Sequence, residues 1–93
     1  MALRFSWDSD KAAANYRKHG VAFTEALTTF ADPLSATIPD RDHSSRERRF
    51  LLMGLSKLGR LLVVAHTERG NEIRIISARV ATRRERHTYE EEP

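Results

Sequence analysis

Arginine is concentrated near the end of this sequence, and it is the side chain best suited to holding phosphate. Residues 71–86 read Asn-Glu-Ile-Arg-Ile-Ile-Ser-Ala-Arg-Val-Ala-Thr-Arg-Arg-Glu-Arg, so an apolar run leads directly into a basic one. A guanidinium group is planar, stays charged and can grip two phosphate oxygens at once. Arg79 and Arg83 bracket the junction between the two runs. We therefore predict that they form the main phosphate clamp.

Clustered arginine with scattered histidine and tyrosine, in a chain with the element order given below, suggests a small RNA-cleaving domain. Metal-independent cleavage of RNA, which the family resemblance given below implies, needs a base for the 2′-hydroxyl proton, cations for the developing phosphate charge and an acid for the leaving oxygen. Histidine is the usual proton carrier near neutral pH, which makes His19 and His66 the predicted proton-transfer pair. Arg69 is a further predicted catalytic cation, and Tyr89 is a predicted proton donor or base-stacking surface. The remaining predicted RNA-binding cations are Lys11, Lys18, Arg74 and Arg86.

Each of these assignments has a plainer alternative. Lys18 and His19 fall in the last turn of a predicted helix, where cations stabilise the helix dipole without any further role. A lone histidine at a strand end, such as His66, is more often packed or solvated than catalytic. The basic run after Ala81 is equally compatible with a solvated, charged tail.

Composition narrows the class of protein. The 93 residues predict a single domain, 1–93. The chain carries 16 Lys and Arg against 13 Asp and Glu, for a net charge of +3, and the arginines occur in local clusters that attract phosphate. The absence of cysteine excludes disulfides and thiolate metal sites. The N-terminus reaches Asp8 and Asp10 early, so we expect no signal peptide or membrane span and a soluble, cytoplasmic protein without a cofactor.

One stretch imitates a metal site. Asp40, Asp42 and Ser44 have the spacing that opens a calcium-binding loop, but the sixth position is Ser45 and the twelfth is Leu51. The loop requires glycine and glutamate at these positions. We therefore predict no metal ion.

The first half of the chain predicts a strand and two helices. Leu3, Phe5 and Trp7 alternate with polar residues, as in a half-buried strand. A first helix then begins at Asp8, whose carboxylate is the expected cap, and ends at Gly20. Thr24 is the expected cap of a second helix with an inward-facing stripe of Phe23, Leu27 and Phe30. Residues 33–39 lie between two prolines, which favours an edge strand.

The second half predicts an antiparallel meander of three strands, at 50–55, 60–67 and 72–78, joined by turns at 56–59 and 68–71. Apolar residues on both faces of the middle strand predict cover on both sides of the sheet. Pairing the last two strands about Arg69-Gly70 places His66 opposite Ile73. That register puts Ser77 and Arg79 on the face of His66 and Arg74 on the other face.

The meander is followed by a final helix. Thr82 and Glu85 have the spacing of a capping box, which opens the helix through reciprocal side-chain to backbone hydrogen bonds. This helix has little apolar surface and is expected to pack weakly.

The sequence also resembles a known family over nearly its whole length. The most specific segments are Lys18-His-Gly-Val21 and Arg74-Ile-Ile-Ser-Ala-Arg79, supported by Phe5-Ser-Trp-Asp8, Asp32-Pro33, Glu47-Arg-Arg-Phe50 and Glu85-Arg86. These segments resemble the BrnT family of bacterial type II toxins. Departures are small: Ser6 stands where an acidic residue is common, and Arg83-Arg84 stand where lysines often occur.

The resemblance implies a RelE-like α+β fold in which an N-terminal strand and two helices pack on an antiparallel sheet and a C-terminal helix follows. It further implies a ribonuclease that blocks translation. The implied partner is a BrnA-type antitoxin with a ribbon-helix-helix part, in a higher-order complex that binds operator DNA through the antitoxin. Two alternatives stay open: a module that binds RNA or a partner through the same arginines without catalysis, and a toxin whose catalytic residues have decayed.

Overall fold

The fold is α+β, and its elements follow the predicted order. A computed structural model describes residues 3–41 and 48–91. Its elements are β1 (Arg4–Ser6), α1 (Ser9–His19), α2 (Phe23–Ala26), a 3₁₀ helix (Leu27–Ala31), β2 (Ala36–Pro39), β3 (Arg49–Leu55), β4 (Leu61–Arg69), β5 (Glu72–Val80) and α3 (Arg83–Glu91). The predicted fold class is confirmed. Asp42, Ser44 and Ser45, which imitate a calcium loop, lie outside the described residues.

One mixed sheet of five strands has the order β1-β5-β4-β3-β2. The predicted meander is confirmed, because β3, β4 and β5 pair antiparallel, and β2 forms the predicted edge strand. The N-terminal strand joins the sheet itself, since β1 pairs parallel to β5. The turn between β4 and β5 is a two-residue loop in which Gly70 has a φ of 61°. That position of a tight hairpin turn favours glycine because side chains rarely adopt a positive φ.

The predicted register between β4 and β5 is wrong along the whole hairpin, since it placed His66 opposite Ile73, and it also assigned the second half of β5 to the wrong face. His66 pairs with Ile75, and Ala65 pairs with Ser77, so Ile76 is an extra residue that forms a β-bulge. An extra residue reverses which side chains face which side of a sheet. Arg79 therefore lies opposite Val63 and shares a face with Arg74, and neither is on the face of His66.

The two faces of the sheet differ in cover. We call the side that carries the main core the front face; its buried residues are Leu62, Val64, Ile73, Ile75 and Ala78, together with Val21, Phe23 and Ala26 from the covering helices. Leu27 and Phe30 pack against this cluster, which confirms the predicted stripe. We call the other side the back face; it carries Val63, Ala65, Thr67, Arg74 and Arg79.

The ends of the first two helices were predicted with mixed success. Gly20 ends α1 with a φ of 69°, and its N–H donates to the carbonyl of Tyr16 at 2.8 Å, as expected. Asp8 occupies the cap position of α1, but its carboxylate makes no capping hydrogen bond. Helix α2 begins at Phe23 after Ala22, so Thr24 lies inside the helix and does not cap it. These two caps were predicted wrongly because side-chain type alone does not fix where a short helix begins.

Helix α3 runs across one end of the sheet. The Ala81 N–H donates to the carbonyl of Leu61 at 2.9 Å, so the chain is still beside β4 when the helix begins. Its far end reaches Asp32, next to β2 and β3, through Tyr89. A helix of nine residues is about 13 Å long. Three strand spacings are about 14 Å, which matches the path from β5 to β2.

Candidate RNA-binding site

Arg79 is held by a carboxylate at the junction of β5 and α3. Its Nη1 and Nη2 donate to Glu85 Oε1 and Oε2 at 2.8 and 2.9 Å. The two side chains are 39% and 32% exposed, respectively. These hydrogen bonds from Arg79 outweigh the effect of burial and lower the pKa of Glu85 to about 2. The pair is therefore fully charged at neutral pH, and the fork that we predicted for phosphate holds a carboxylate of the chain itself.

The predicted capping box of α3 is confirmed. The Thr82 N–H donates to Glu85 Oε1 at 2.8 Å, and the Glu85 N–H donates to Thr82 Oγ1 at 3.1 Å. Glu85 thus performs two functions at once, because it opens α3 and fixes Arg79. The sequence predicts the first of these from spacing alone. The second depends on how the strand turns into the helix.

The other end of α3 is held by a tyrosine and an aspartate. The Tyr89 hydroxyl donates to Asp32 Oδ2 at 2.5 Å, and the Asp32 carboxylate also accepts from the N–H groups of Leu34 and Leu55. The hydrogen bond to Asp32 raises the pKa of Tyr89 to about 12. Burial acts to raise the pKa of Asp32, but the three hydrogen bonds together lower it. The proton of Tyr89 is thereby directed at Asp32 and away from solvent.

Glu85 and Tyr89 are the half-buried residues of α3, and within 83–91 the helix has no buried residue. They lie one turn apart, on the face that meets the sheet. The exposed side of the helix carries Arg83 and Arg86, with Arg86 near Glu90 at 3.7 Å. Polar contacts thus attach α3 to the sheet and leave its arginines toward solvent. This agrees with the predicted weak packing.

The other back-face cations lie farther along the sheet. Arg74 is exposed, and the register aligns it with Thr67 of β4 and Ser6 of β1. Arg69 pairs with Glu72 at the end of the same hairpin. Arg79 lies five residues after Arg74 along β5, which corresponds to about 15 Å. These arginines could therefore contact a different phosphate from the one near α3.

Three predicted site residues lie on the opposite layer. Lys11, Lys18 and His19 belong to α1, which packs on the front face through the buried Asn15. The Asn15 side-chain amide donates to the carbonyl of Ala78 at 2.8 Å and accepts from its N–H at 3.0 Å. Lys11 and Lys18 are exposed, and His19 is half-buried. All three belong to the helical layer that packs on the front face, whereas Arg74 and Arg79 lie on the back face.

His66 lies in the core. Its side chain is 0% exposed, and its ring packs edge-on against Phe30 and stacks with Phe50, at centroid distances of 4.9 and 5.8 Å. Nε2 is 2.9 Å from Glu68 Oε2. The structure does not bring His66 together with Arg79, and its surroundings favour the packing role.

A further polar network, which we did not predict, lies near the turn after β3. Buried Glu25 accepts from Arg60 Nε at 3.0 Å and from Ser56 Oγ at 2.7 Å, and Arg60 Nη2 also donates to the carbonyl of Gly20. The hydrogen bond from Arg60 is the main reason that the pKa of Glu25 is lowered. The network lines a surface cleft of about 390 Å³ that includes none of the predicted site residues. Its buried carboxylate is fully paired, as a structural network requires.

His87 is a candidate that the sequence reasoning passed over. It lies on α3 one turn after Arg83, is 74% exposed and has Glu91 at 3.7 Å. The spacing of four residues from Arg83 was the signal that could have identified it. Asp32 and Glu85 were also not predicted as site residues. The contact between Tyr89 and Asp32 joins residues far apart in sequence, and the contact between Arg79 and Glu85 depends on how β5 turns into α3.

Among residues 3–41 and 48–91, no three His, Asp or Glu side chains form a group that could hold a metal ion.

Comparison with known proteins identifies the family and supports the fold. A family model described as the ribonuclease toxin BrnT of type II toxin-antitoxin systems matches residues 7–85. The crystal structure of the Brucella abortus ribonuclease toxin BrnT is similar in fold, with a TM-score of 0.68 and 20% sequence identity; the match covers 88% of this chain and 100% of that one. No curated protein sequence gives a significant match. In the described part of the chain, every helix is too short or too polar to cross a bilayer.

The family match spans most of the chain and includes both Arg79 and Glu85. The chain therefore belongs to the BrnT family of ribonuclease toxins of type II toxin-antitoxin systems.

Proposed function

We propose that this protein is a metal-independent endoribonuclease that cleaves RNA and inhibits translation in the cytoplasm. The observation that supports the proposal most is that Arg79 lies near the end of β5, on the back face, and that Arg83 begins α3 four residues later. Cations from two elements can approach one phosphate from different directions, which a single basic stripe cannot do. Helices α1 and α2 cover the front face and leave this junction of β5 and α3 accessible.

The proposed reaction is attack of the ribose 2′-oxygen on the adjacent phosphorus. A base removes the 2′-hydroxyl proton, the P–O5′ bond breaks, and an acid gives a proton to the 5′-oxygen. The products are a 2′,3′-cyclic phosphate end and a 5′-hydroxyl end. Arg79 and Arg83 would stabilise the charge that develops on the phosphate oxygens.

The location of each histidine leads us to replace His19 and His66, the predicted proton-transfer pair, with another histidine. His66 is fully buried and His19 lies on the α1 layer, whereas His87 is exposed on α3 beside Arg83. We therefore assign proton transfer to His87 and packing to His66. Of the two roles predicted for Tyr89, proton donation is set aside because its proton is directed at Asp32, and stacking with a base would use the part of its half-buried ring that reaches solvent.

The remaining cations extend the RNA path. Arg86 continues the exposed basic face of α3, and Arg74 and Arg69 provide positive charge at the far end of the back face. Lys11 and Lys18 lie on α1, so they would contact RNA only if the RNA chain extended past the edge of the sheet to that helix. Such contacts to phosphate add affinity without base specificity.

Membership of a type II toxin family implies an antitoxin partner. We propose that the partner is a BrnA-type protein with a ribbon-helix-helix part. Toxin and antitoxin would form a higher-order complex, and the complex would contact operator DNA through the antitoxin. Purification of the toxin with the product of its neighbouring gene, followed by mass measurement in solution, tests this; two proteins that elute separately would contradict it.

The catalytic proposal is tested by incubating purified protein with RNA in the presence of a chelator and identifying the fragment ends. Arg83→Ala is the cleanest variant because Arg83 is exposed, and Arg17→Ala is its matched control, since Arg17 is an exposed cation of α1 outside the proposed site. We expect fragments with cyclic phosphate ends from the wild-type protein and the Arg17 variant, and at least tenfold slower cleavage with the Arg83 variant. RNA that binds without being cut would favour the non-catalytic binding module. Growth arrest on expression of each variant gives an independent measure of toxicity.

A further inference from the structure

Glu85 occupies a site that is built for an anion. Three N–H donors converge on its carboxylate: the two terminal nitrogens of Arg79 and the backbone amide of Thr82. A carboxylate and a phosphodiester present the same pair of oxygens to a guanidinium fork. The position of Glu85 therefore marks where a phosphate oxygen pair would be held if the carboxylate were absent.

The pair also limits what Arg79 can do for RNA. While Glu85 is bound, the pair carries no net charge, so Arg79 adds little attraction for a phosphate that approaches from solvent. Arg79 is 39% exposed and Glu85 is 32% exposed, so solvent reaches both groups. An anion from solution can therefore approach the guanidinium without passing through the core.

The attachment of α3 permits an exchange. No residue within 83–91 is buried, and the inward contacts of Glu85 and Tyr89 are polar. Moving the Glu85 side chain into solvent therefore exposes little apolar surface. Its hydrogen bond from the Thr82 amide would be lost, and its contact with Arg79 would be replaced by the phosphate. RNA makes several phosphate contacts at once and can offset this loss, whereas a single free anion competes poorly with a tethered carboxylate.

We propose that Glu85 is an intramolecular occupant of the phosphate site, and that RNA binds Arg79 by displacing its carboxylate. The proposal rests on the proposed function, because it assumes that the back face binds RNA. It makes Glu85 an autoinhibitory contact in the free toxin. Binding of an RNA phosphate to Arg79 and binding of Glu85 to Arg79 then exclude each other.

The decisive variant is Glu85→Gln. Glutamine at this position of a capping box can still accept from the Thr82 amide, so α3 keeps its start while Arg79 loses its charged partner. Glu91→Gln is the matched control, because it removes one negative charge from the same helix, and Glu91 is 68% exposed, with His87 at 3.7 Å. Circular dichroism establishes that both variants keep the helical content of the wild-type protein.

RNA affinity is measured by fluorescence anisotropy with a 2′-O-methyl oligonucleotide, which cannot be cut at the 2′-oxygen. We expect Glu85→Gln to bind about fivefold or more tightly than Glu91→Gln, with a salt dependence that is steeper by about one unit because one further phosphate contact forms. Equal or weaker binding by Glu85→Gln would overturn the proposal and would indicate that Glu85 instead holds Arg79 in its working position.

A second measurement separates this inference from the proposed function. The Arg79 side-chain N–H resonance is followed by NMR while inorganic phosphate is added to each variant. We expect a saturable shift in Glu85→Gln at lower phosphate concentration than in Glu91→Gln. If that shift occurs while no variant binds the oligonucleotide, the anion site is supported and the RNA function fails; if the variants shift alike, the anion site fails whatever the RNA result.

Discussion

Protonation of Glu85 should destabilise the protein in acid by an amount that the geometry allows us to estimate. Its pKa falls from 4.5 to about 2 on folding, chiefly because of the hydrogen bonds from Arg79. A difference of that size corresponds to roughly 3 kcal/mol at about 1.4 kcal/mol per pH unit. The carboxylate is 32% exposed, so solvent screening reduces this figure, and we expect about 1.5 kcal/mol.

The direction of the effect follows from which state binds the proton first. Above pH 4.5 Glu85 is charged in both states, and the pair contributes its full stability. As the pH falls below 4.5, the unfolded chain takes up the proton before the folded chain does, so the free energy of unfolding decreases. Most of the loss has occurred at pH 2, where Glu85 of the folded protein is about half protonated, and it is complete below that pH.

Urea unfolding from pH 6 to pH 2 measures this effect in the wild-type protein and in Glu85→Gln. Other carboxylates titrate over the same range, so the informative quantity is the wild-type free energy of unfolding minus that of the variant. We expect this difference to decrease by about 1.5 kcal/mol as the pH is lowered. The same subtraction with Glu91→Gln should vary much less. A difference between wild type and Glu85→Gln that is independent of pH would refute the reasoning about the Arg79 pair.

Other predictions concern the core and the far end of α3. His66→Ala should cost about 2–4 kcal/mol of unfolding free energy because the ring is fully buried, yet the folded variant should cleave RNA at the wild-type rate; a stable but inactive variant would restore His66 to the site. Asn15→Ala should cost about 2–4 kcal/mol by chemical denaturation, since it leaves buried backbone groups of Ala78 unpaired, and a cost under about 1 kcal/mol would contradict this. In Asp32→Asn, the ultraviolet titration of Tyr89 should move from about 12 toward 10, and an unchanged titration would show that Asp32 does not hold the phenol proton.

Features that depend on neighbouring residues were predictable from the sequence. The left-handed residue Gly20, the capping box of Thr82 and Glu85, and the hairpins of the meander each follow from spacing within a few residues. The alternation of apolar residues likewise identified the strands, because a half-buried strand has a period of two. These local patterns are sufficient to predict the fold class.

The direction of Arg79 was not predictable in this way. A single extra residue at Ile76 reverses the second half of β5, and no residue type near it is peculiar to a bulge. The hydrogen-bond partner of Tyr89 was also not predictable from the sequence. Tyr89 meets Asp32 only because α3 crosses the sheet, and that path depends on the tertiary structure.

The central claim is that the corner formed by Arg79 and Arg83 cleaves RNA without a metal ion. Incubation of the wild-type protein and Arg83→Ala with RNA in excess chelator, followed by analysis of the fragment ends, tests it most directly. We expect the wild-type protein to produce cyclic phosphate and 5′-hydroxyl ends, and Arg83→Ala to produce them at least tenfold more slowly while folded. Cleavage that requires added metal, or an equal rate in the two proteins, would contradict the claim.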